Sequence, residues 1–359
     1  MEAYIKEVVE PEVCSRKIYE ASGIRFDDEA AVDLWQNIIR HKWILSEKLS
    51  RDIGFRTACI DYLDNFEANK DSALHKQTDL LGEMGARAVD NDIWHTIAES
   101  QPPKRVVQRR IILPLTENNL SKKHGVTLPR TIIFFGPPGT GKTHFVKAIA
   151  GVLSWWYIEV SPSMLMAEGV EKIGANLRAV MEKARKLDEA IIFIDEFEEI
   201  AASRDNADRV DRSITNEFLK QVPLLKKQDN NVLLICATNY IRMLDAALLR
   251  PGRFDCIIPV GLLDADGRKT ILKQYVSTLN TKDVDLDHLA ELTPRFTPAD
   301  IELVFQNIAQ YAFEQEYTSK REFFVTTEII ASEMAKFKPS LTEEVIEAFN
   351  QDVKEFSRY

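Results

Sequence analysis

An apolar run, Ile132-Ile133-Phe134-Phe135, leads directly into Gly136-Pro137-Pro138-Gly139-Thr140-Gly141-Lys142-Thr143. These eight residues satisfy G-x-x-x-x-G-K-[ST] at every constrained position, and a helical pattern follows them. A strand that empties into such a loop and then a helix restricts the fold sharply. The glycines let successive N–H groups converge on phosphate oxygens, and the helix N-terminus behind adds its positive end. Gly136 to Thr143, with His144 next in line, are therefore the candidate nucleotide-contacting set. Lys142 is expected to neutralise β- and γ-phosphate charge, and the Thr143 hydroxyl to ligate Mg2+.

The rest of the chain fits that setting. Ile132–Phe135, Tyr157–Val160, Ala190–Ile194 and Asn231–Ala237 read as buried parallel strands, with helices expected over Val170–Leu187 and Arg209–Gln221. This βαβ progression predicts an α/β fold, a parallel sheet with helices on both faces. Beyond Gly261 helical patterns dominate. Before about residue 90 the chain also reads as helical: Ala31, Leu34, Trp35, Ile38, Ile39, Trp43 and Leu45 recur at three- and four-residue steps over Asp27–Ser50. Asp27 and Asp28 suit its first turn. The two tryptophans are expected in a small helical core. Pro102-Pro103 marks a turn or linker. The expected division is a helical domain over 1–90, an α/β nucleotide-binding subdomain over 91–260 and a helical lid over 261–359.

The strand Ile191-Ile192-Phe193-Ile194 ends in Asp195-Glu196. Carboxylates at the exit of a buried strand face the crevice where open α/β sheets bind ligands. Asp195 is expected to hold the Mg ion through water, and Glu196 to orient and polarise an attacking water. Glu198 and Glu199 are assigned to a solvated face.

With the glycine loop and the acid pair in place, residues 92–359 resemble the AAA family of ATPases. Ile97 to Leu115 is similar to the family's opening segment, including Leu113-Pro114-Leu115, and Lys123-His124-Gly125-Val126 and Pro129 keep that register. Asn239, in Ala237-Thr238-Asn239, matches the sensor asparagine that contacts the γ-phosphate or the attacking water. Asp245-Ala246-Ala247-Leu248-Leu249-Arg250-Pro251-Gly252-Arg253-Phe254-Asp255 matches the family's second homology region. The resemblance implies that Arg250 and Arg253 are arginine fingers that reach a neighbouring subunit's site, which requires a homo-oligomer, by family expectation a hexameric ring. Phe296-Thr297-Pro298-Ala299-Asp300-Ile301 stands where the family has its adenine-side motif, which makes Ala299 a nucleotide contact. Lys338-Pro339-Ser340-Leu341-Thr342-Glu343-Glu344 and the final helix are similar to members that sever or disassemble filaments. HKWILSEKLSRDIG at 41–54 is similar to a helical module of bacterial proteins, so a bacterial source is expected.

Two positions depart from the family pattern. Ala98-Glu99 replaces the usual Gly-Gly pair beside adenine. Ala167-Glu168-Gly169-Val170 occupies the expected central-pore segment, with glycine where an aromatic residue is usual. Met164 and Met166 lie nearby, as core residues or as soft apolar contacts.

Composition narrows the function further. Lys and Arg total 46 against 56 Asp and Glu, a net charge of −10, which argues against a nucleic-acid scaffold. Cys14, Cys59, Cys236 and Cys256 have no paired spacing, so neither a disulfide framework nor a zinc knuckle is expected. No basic-then-apolar leader and no apolar stretch of spanning length is present, and the expected location is the cytoplasm, without a membrane. The expected ligands are ATP, ADP and Mg2+. The leading expectation is remodelling of a protein partner held through residues 1–90 or the central pore. The alternatives are a non-threading assembly chaperone and, less favoured, a nucleic-acid motor.

Overall fold

The computed structural model describes residues 11–24, 26, 28–48, 52–63, 77, 80–201, 209–226 and 230–359. The chain divides into two compact units, Met1–Asp79 and Leu80–Tyr359.

In the first unit, α1 (Pro11–Ser22), α2 (Asp28–Lys48) and α3 (55–63) bring Cys14, Ile18, Ala21, Ala31, Ile38, Cys59 and Leu63 into one core. Trp35 packs on it with its ring centroid 4.6 Å from that of Phe55, whereas Trp43 is half exposed. The helical spacing of α2 puts Trp35 on the buried stripe and Trp43 off it. Only one of the two tryptophans thus serves the core. Asp27, Leu49 and Ser50 of the expected helix lie outside the described residues.

The second unit is built on a five-stranded parallel sheet in the order β2-β3-β4-β1-β5. Its strands are β1 (Thr131–Phe135), β2 (Trp156–Glu159), β3 (Ala190–Ile194), β4 (Val232–Thr238) and β5 (Cys256–Pro259). The first four sit within a residue of their expected positions. The fifth went unread because its apolar pair, Ile257-Ile258, is too short to give a pattern. β1, β3 and β4 are buried along their whole length, the signature of a sheet covered on both faces.

Residues 80–90, grouped above with the amino-terminal helices, belong here instead. Leu81 is buried in the sheet core, and the Arg87 and Tyr157 backbones exchange hydrogen bonds. The Pro102-Pro103 pair is likewise not a linker. It starts α4 (Pro102–Val107), where proline costs no helical hydrogen bond, and Pro103 is buried. A π-helical turn over Gln108–Ile112 leads to α5 (Leu113–Thr116) and α6 (Asn118–Lys123).

The helices around the sheet are α7 (Lys142–Leu153), α8 (Pro162–Met166), α9 (Ile173–Ala184), α10 (Arg209–Lys226) and α11 (Ala246–Leu249). α9 is shorter than expected because Val170–Lys172 forms a separate 3-10 turn. α10 runs five residues further than expected, through Pro223. Arg178 on α9 makes a two-pronged pair with Glu217 on α10, at 2.8 and 2.9 Å. That pair and a hydrogen bond from Gln221 draw the Glu217 carboxyl down to about 2, against the opposing effect of burial.

The lid contains α12 (Ala265–Ser277), α13 (Leu286–Leu292), α14 (Pro298–Ser319) and α15 (Thr327–Met334), which share a separate core around Leu272, Leu289, Ile301, Val304, Phe305 and Ile330. Thr297 and Asp300 form a reciprocal cap that fixes the start of α14. The last helix, α16 (Glu343–Phe356), leaves the lid and lays Phe349, Val353 and Phe356 against the sheet core. Among the described residues no helix is long and apolar enough to cross a membrane.

Candidate functional site

The site forms where β1, β3 and β4 end side by side. Phe135 pairs in register with Thr238, and Ile194 with Cys236. The loop after β1, the acids after β3 and Asn239 after β4 therefore emerge on neighbouring strands, roughly 5 Å apart.

The glycine loop is sterically committed. Gly136 has φ 151°, and a Cβ there would collide with the Val260 carbonyl. The Thr140 hydroxyl, buried, donates to the Pro137 carbonyl at 2.9 Å and closes the turn. Gly141, with φ 92°, then opens α7.

Lys142 is buried. Its ammonium donates to the Gly136 carbonyl (2.8 Å), the Pro137 carbonyl (2.9 Å) and Asn239 Oδ1 (2.7 Å). Burial lowers its pKa to about 8, although Asp195 and Glu198 both favour the charged form. The Thr143 hydroxyl donates to Asp195 Oδ2 at 2.8 Å. A hydroxyl and a carboxylate side by side, both oxygen donors, suit a hard cation such as Mg2+, which binds one or two protein oxygens and takes its other ligands from phosphate and water. Glu196 is exposed, with a left-handed backbone at φ 49°. Its carboxyl pKa is raised by the charge of Glu199 first, then by burial and by Asp195 and Glu198.

Glu198 is not the solvated residue expected from sequence. It is half-buried, and its Oε1 accepts the Asn239 backbone N–H at 3.1 Å. The turn Phe197–Glu199 swings it back under β4, which no spacing rule anticipates. Glu199 is exposed, as expected.

Around these groups lies a cavity of about 480 Å³, within the size range of small-molecule sites. Of the residues singled out from sequence, Pro138, Gly139, Thr140, Gly141, Lys142, Thr143, His144, Asp195, Glu196, Asn239 and Ala299 line it. Gly136 and Pro137, at the start of the loop, do not line the cavity; their carbonyls accept hydrogen bonds from the Lys142 ammonium. Arg250 and Arg253 do not line it. Arg250 is exposed, and Arg253 is half-buried with Nη1 donating to the Leu219 carbonyl at 2.8 Å.

The far end of the cavity is lined by Thr96, Ile97, Ala98, Phe145, Ile271 and Tyr275, among others, a largely apolar wall. Ala98 faces the cavity, whereas Glu99 turns away to pair with buried Lys104. Lys104 also donates to the Ile97 carbonyl at 2.6 Å and so pins this wall from behind. The lid is tied to the same wall: Gln274 donates to the Thr96 carbonyl at 3.0 Å, and Gln101 to Asp264 at 2.8 Å. The Thr96 hydroxyl lies 2.7 Å from His144 Nε2 and 2.6 Å from the Ile93 carbonyl. Its single proton serves the carbonyl, which makes His144 Nε2 the donor in the other bond. Burial, and then Lys147, keep the His144 pKa below its usual value.

At the expected pore segment, Gly169 is exposed with φ 100°, Met164 is exposed and Met166 packs partly on the sheet core. Of the two readings for the methionines, core packing applies to Met166 only.

Residues 132–262 match the family described as "ATPase family associated with various cellular activities (AAA)". This chain carries an AAA domain. It is 35% identical over 231 residues to the "Cell division cycle protein 48 homolog" of Archaeoglobus fulgidus, covering 64% of this chain and 31% of that one. It is 34% identical over 222 residues to the "Proteasome-activating nucleotidase" of Methanococcus maripaludis, covering 61% and 54%. The chain thus spans about a third to a half of the length of these curated relatives. Both are archaeal and lend the expected bacterial source no support. The fold matches that of the FIGL-1 AAA domain solved in complex with ADP, with a TM-score of 0.66 at 22% identity over 79% of this chain and 98% of that one. The matched residues hold the glycine loop, the acid pair and nearly all of the parallel sheet.

Proposed function

We propose that this chain binds Mg-ATP in the cavity and hydrolyses it at the subunit interfaces of a homo-oligomeric, hexameric ring, to remodel or disassemble a protein partner. The observation that carries the reading is the convergence of Lys142, Thr143, Asp195, Glu196 and Asn239 on one cavity. In this reading Lys142 leaves the loop carbonyls for the β- and γ-phosphates, and Thr143 and Asp195 hold the metal, which when bound offsets phosphate charge. Glu196, exposed at the end of β3, accepts a hydrogen bond from the attacking water. Asn239 faces the γ-phosphate. Arg250 and Arg253, outside their own cavity, act on a neighbour's. The apolar wall with Ala98 and Ala299 takes adenine.

Protein remodelling is supported by the names of the relatives and by the separate helical unit, which we assign to partner recognition. A cytoplasmic location accompanies that assignment. Glu196→Gln is the decisive variant: it should retain ATP, lose turnover and trap a partner. Failure of the purified chain to bind adenine nucleotide would refute the whole reading.

A second reading, a non-threading assembly chaperone, is favoured by Gly169. Its positive φ disfavours any side chain, so replacing it with tyrosine confounds grip with backbone strain. Met164→Ser is the cleaner probe. A remodelling activity that survives it supports docking without threading, and its loss supports a pore grip.

A further inference from the structure

The loop that carries Arg250 and Arg253 is held from outside itself. It begins where α11 ends at Leu249 and returns to the sheet at Phe254, with Gly252 at φ 88° in between. Arg358, just beyond α16, spans its base. Nη1 donates to the Leu249 carbonyl at 2.7 Å, and Nη2 donates to the Phe254 carbonyl at 2.7 Å. The first of these carbonyls is a helix-terminal acceptor without a partner inside its own helix.

The guanidinium is itself fixed. The Arg358 backbone pairs with Ile257, accepting its N–H at 2.7 Å and returning its own at 3.0 Å. This adds a short antiparallel bridge to the free edge of β5. The preceding helix is anchored twice more. The Phe349 ring lies 6.0 Å from that of Phe135, and Arg242 pairs with both Asp352 and Glu355. A planar fork delivered from an anchored helix, with one prong on each end of a loop, fixes the separation of those ends as a single point charge cannot.

We propose that Arg358 is a positioning residue for the Arg250–Arg253 loop, setting the geometry in which those arginines meet the adjoining subunit's nucleotide. The proposal rests on the trans-acting reading of Arg250 and Arg253 given above. Arg358 does not line the cavity; it holds the loop through two backbone carbonyls.

The test uses the full chain as R358M, R358K and R250A, each alone and each mixed with E196Q subunits. Alone, R358M should bind a non-hydrolysable ATP analogue as the parent does and keep its KM, with kcat down roughly tenfold to a hundredfold, the effect of a small misplacement of a reacting group. R358K, able to reach one carbonyl, should fall between. E196Q subunits have an inactive cavity but an intact arginine loop, so mixing them in should restore turnover at R358M sites, as it restores R250A sites. If R250A is rescued and R358M is not, or if R358M keeps its full kcat, the positioning role is overturned while the trans-acting reading stands. If R250A is not rescued either, the trans-acting reading has failed and the proposal falls with it. Should R358M not fold, as judged by its melting curve, R358K carries the same comparison.

Discussion

The Lys142 ammonium lies 2.7 Å from Asn239 Oδ1, joining the residue after the glycine loop to the residue after β4 across 97 positions of chain. Asn239 has two tasks under the proposed function: it holds the lysine in place, and it faces the γ-phosphate. Asn239→Ala should therefore cut kcat by roughly a hundredfold, the scale for one transition-state hydrogen-bond donor. In the proposed complex the phosphates themselves hold Lys142, so ATP-analogue affinity should change less than about threefold by this account. Steady-state kinetics with parallel titration of the analogue checks it, and an equal loss in both quantities would refute the division of labour.

Glu198 gives a second expectation. Its carboxylate accepts the Asn239 N–H, so Glu198→Gln keeps an acceptor and should stay close to the parent. Glu198→Ala leaves a partly buried N–H without a partner, at a cost of about 1–3 kcal/mol. We expect a lower melting temperature and a kcat reduced about tenfold. Equal impairment of the two variants would show that charge, not the hydrogen bond, is what matters, and parent-like behaviour of both would show that neither does.

Gly136→Ala should be far more damaging than Gly141→Ala. The first substitution drives a methyl group into the Val260 carbonyl, whereas at Gly141 the nearest atom would be His144 Cβ at 3.9 Å. Both positions have positive φ, so the backbone cost is common and the collision is the difference. Chemical denaturation should show a loss of roughly 2–4 kcal/mol at Gly136 and about 1 kcal/mol at Gly141.

The Arg178–Glu217 pair predicts an acid limb of stability. The folded carboxyl titrates at about 2, below the ordinary glutamate value. The unfolded chain thus takes up this proton first as pH falls. The stabilisation is full above roughly pH 4.5, the unfolded range, and is lost progressively down to about 2. Arg178→Met should weaken folding near neutral pH and flatten that limb. Denaturation midpoints between pH 6 and 3 measure it, and an unchanged slope in the variant would assign the limb to other carboxylates.

Much of the site was legible because its chemistry is local in sequence. The glycine loop is one continuous motif after one apolar run, and Asp195-Glu196 ends another. Each motif carries its own structural context, so the sheet followed from them. Glu198 was missed because its role depends on a 3-10 turn that folds it under a different strand. Lys104 was missed because a lysine beside two prolines reads as surface chain, whereas here it lies under Trp94 with the Ile97 carbonyl as acceptor. Gln101 and Gln274 carry no pattern at all; their partners lie 163 and 178 residues away. β5 was too short to announce itself, although it is the strand that Arg358 completes.

Because the glycine loop, the acid pair and Asn239 come from strands adjacent in the sheet but distant in sequence, no single strand and loop of the chain contains the cavity. The β1–β4 and β3–β4 pairings must both close before a ligand finds its seat, which makes occupancy a readout of non-local folding rather than of local loop structure. Ligand that binds only the assembled sheet must also raise its melting temperature by mass action. A chain arrested with β4 unpaired would show native-like helices and no such shift.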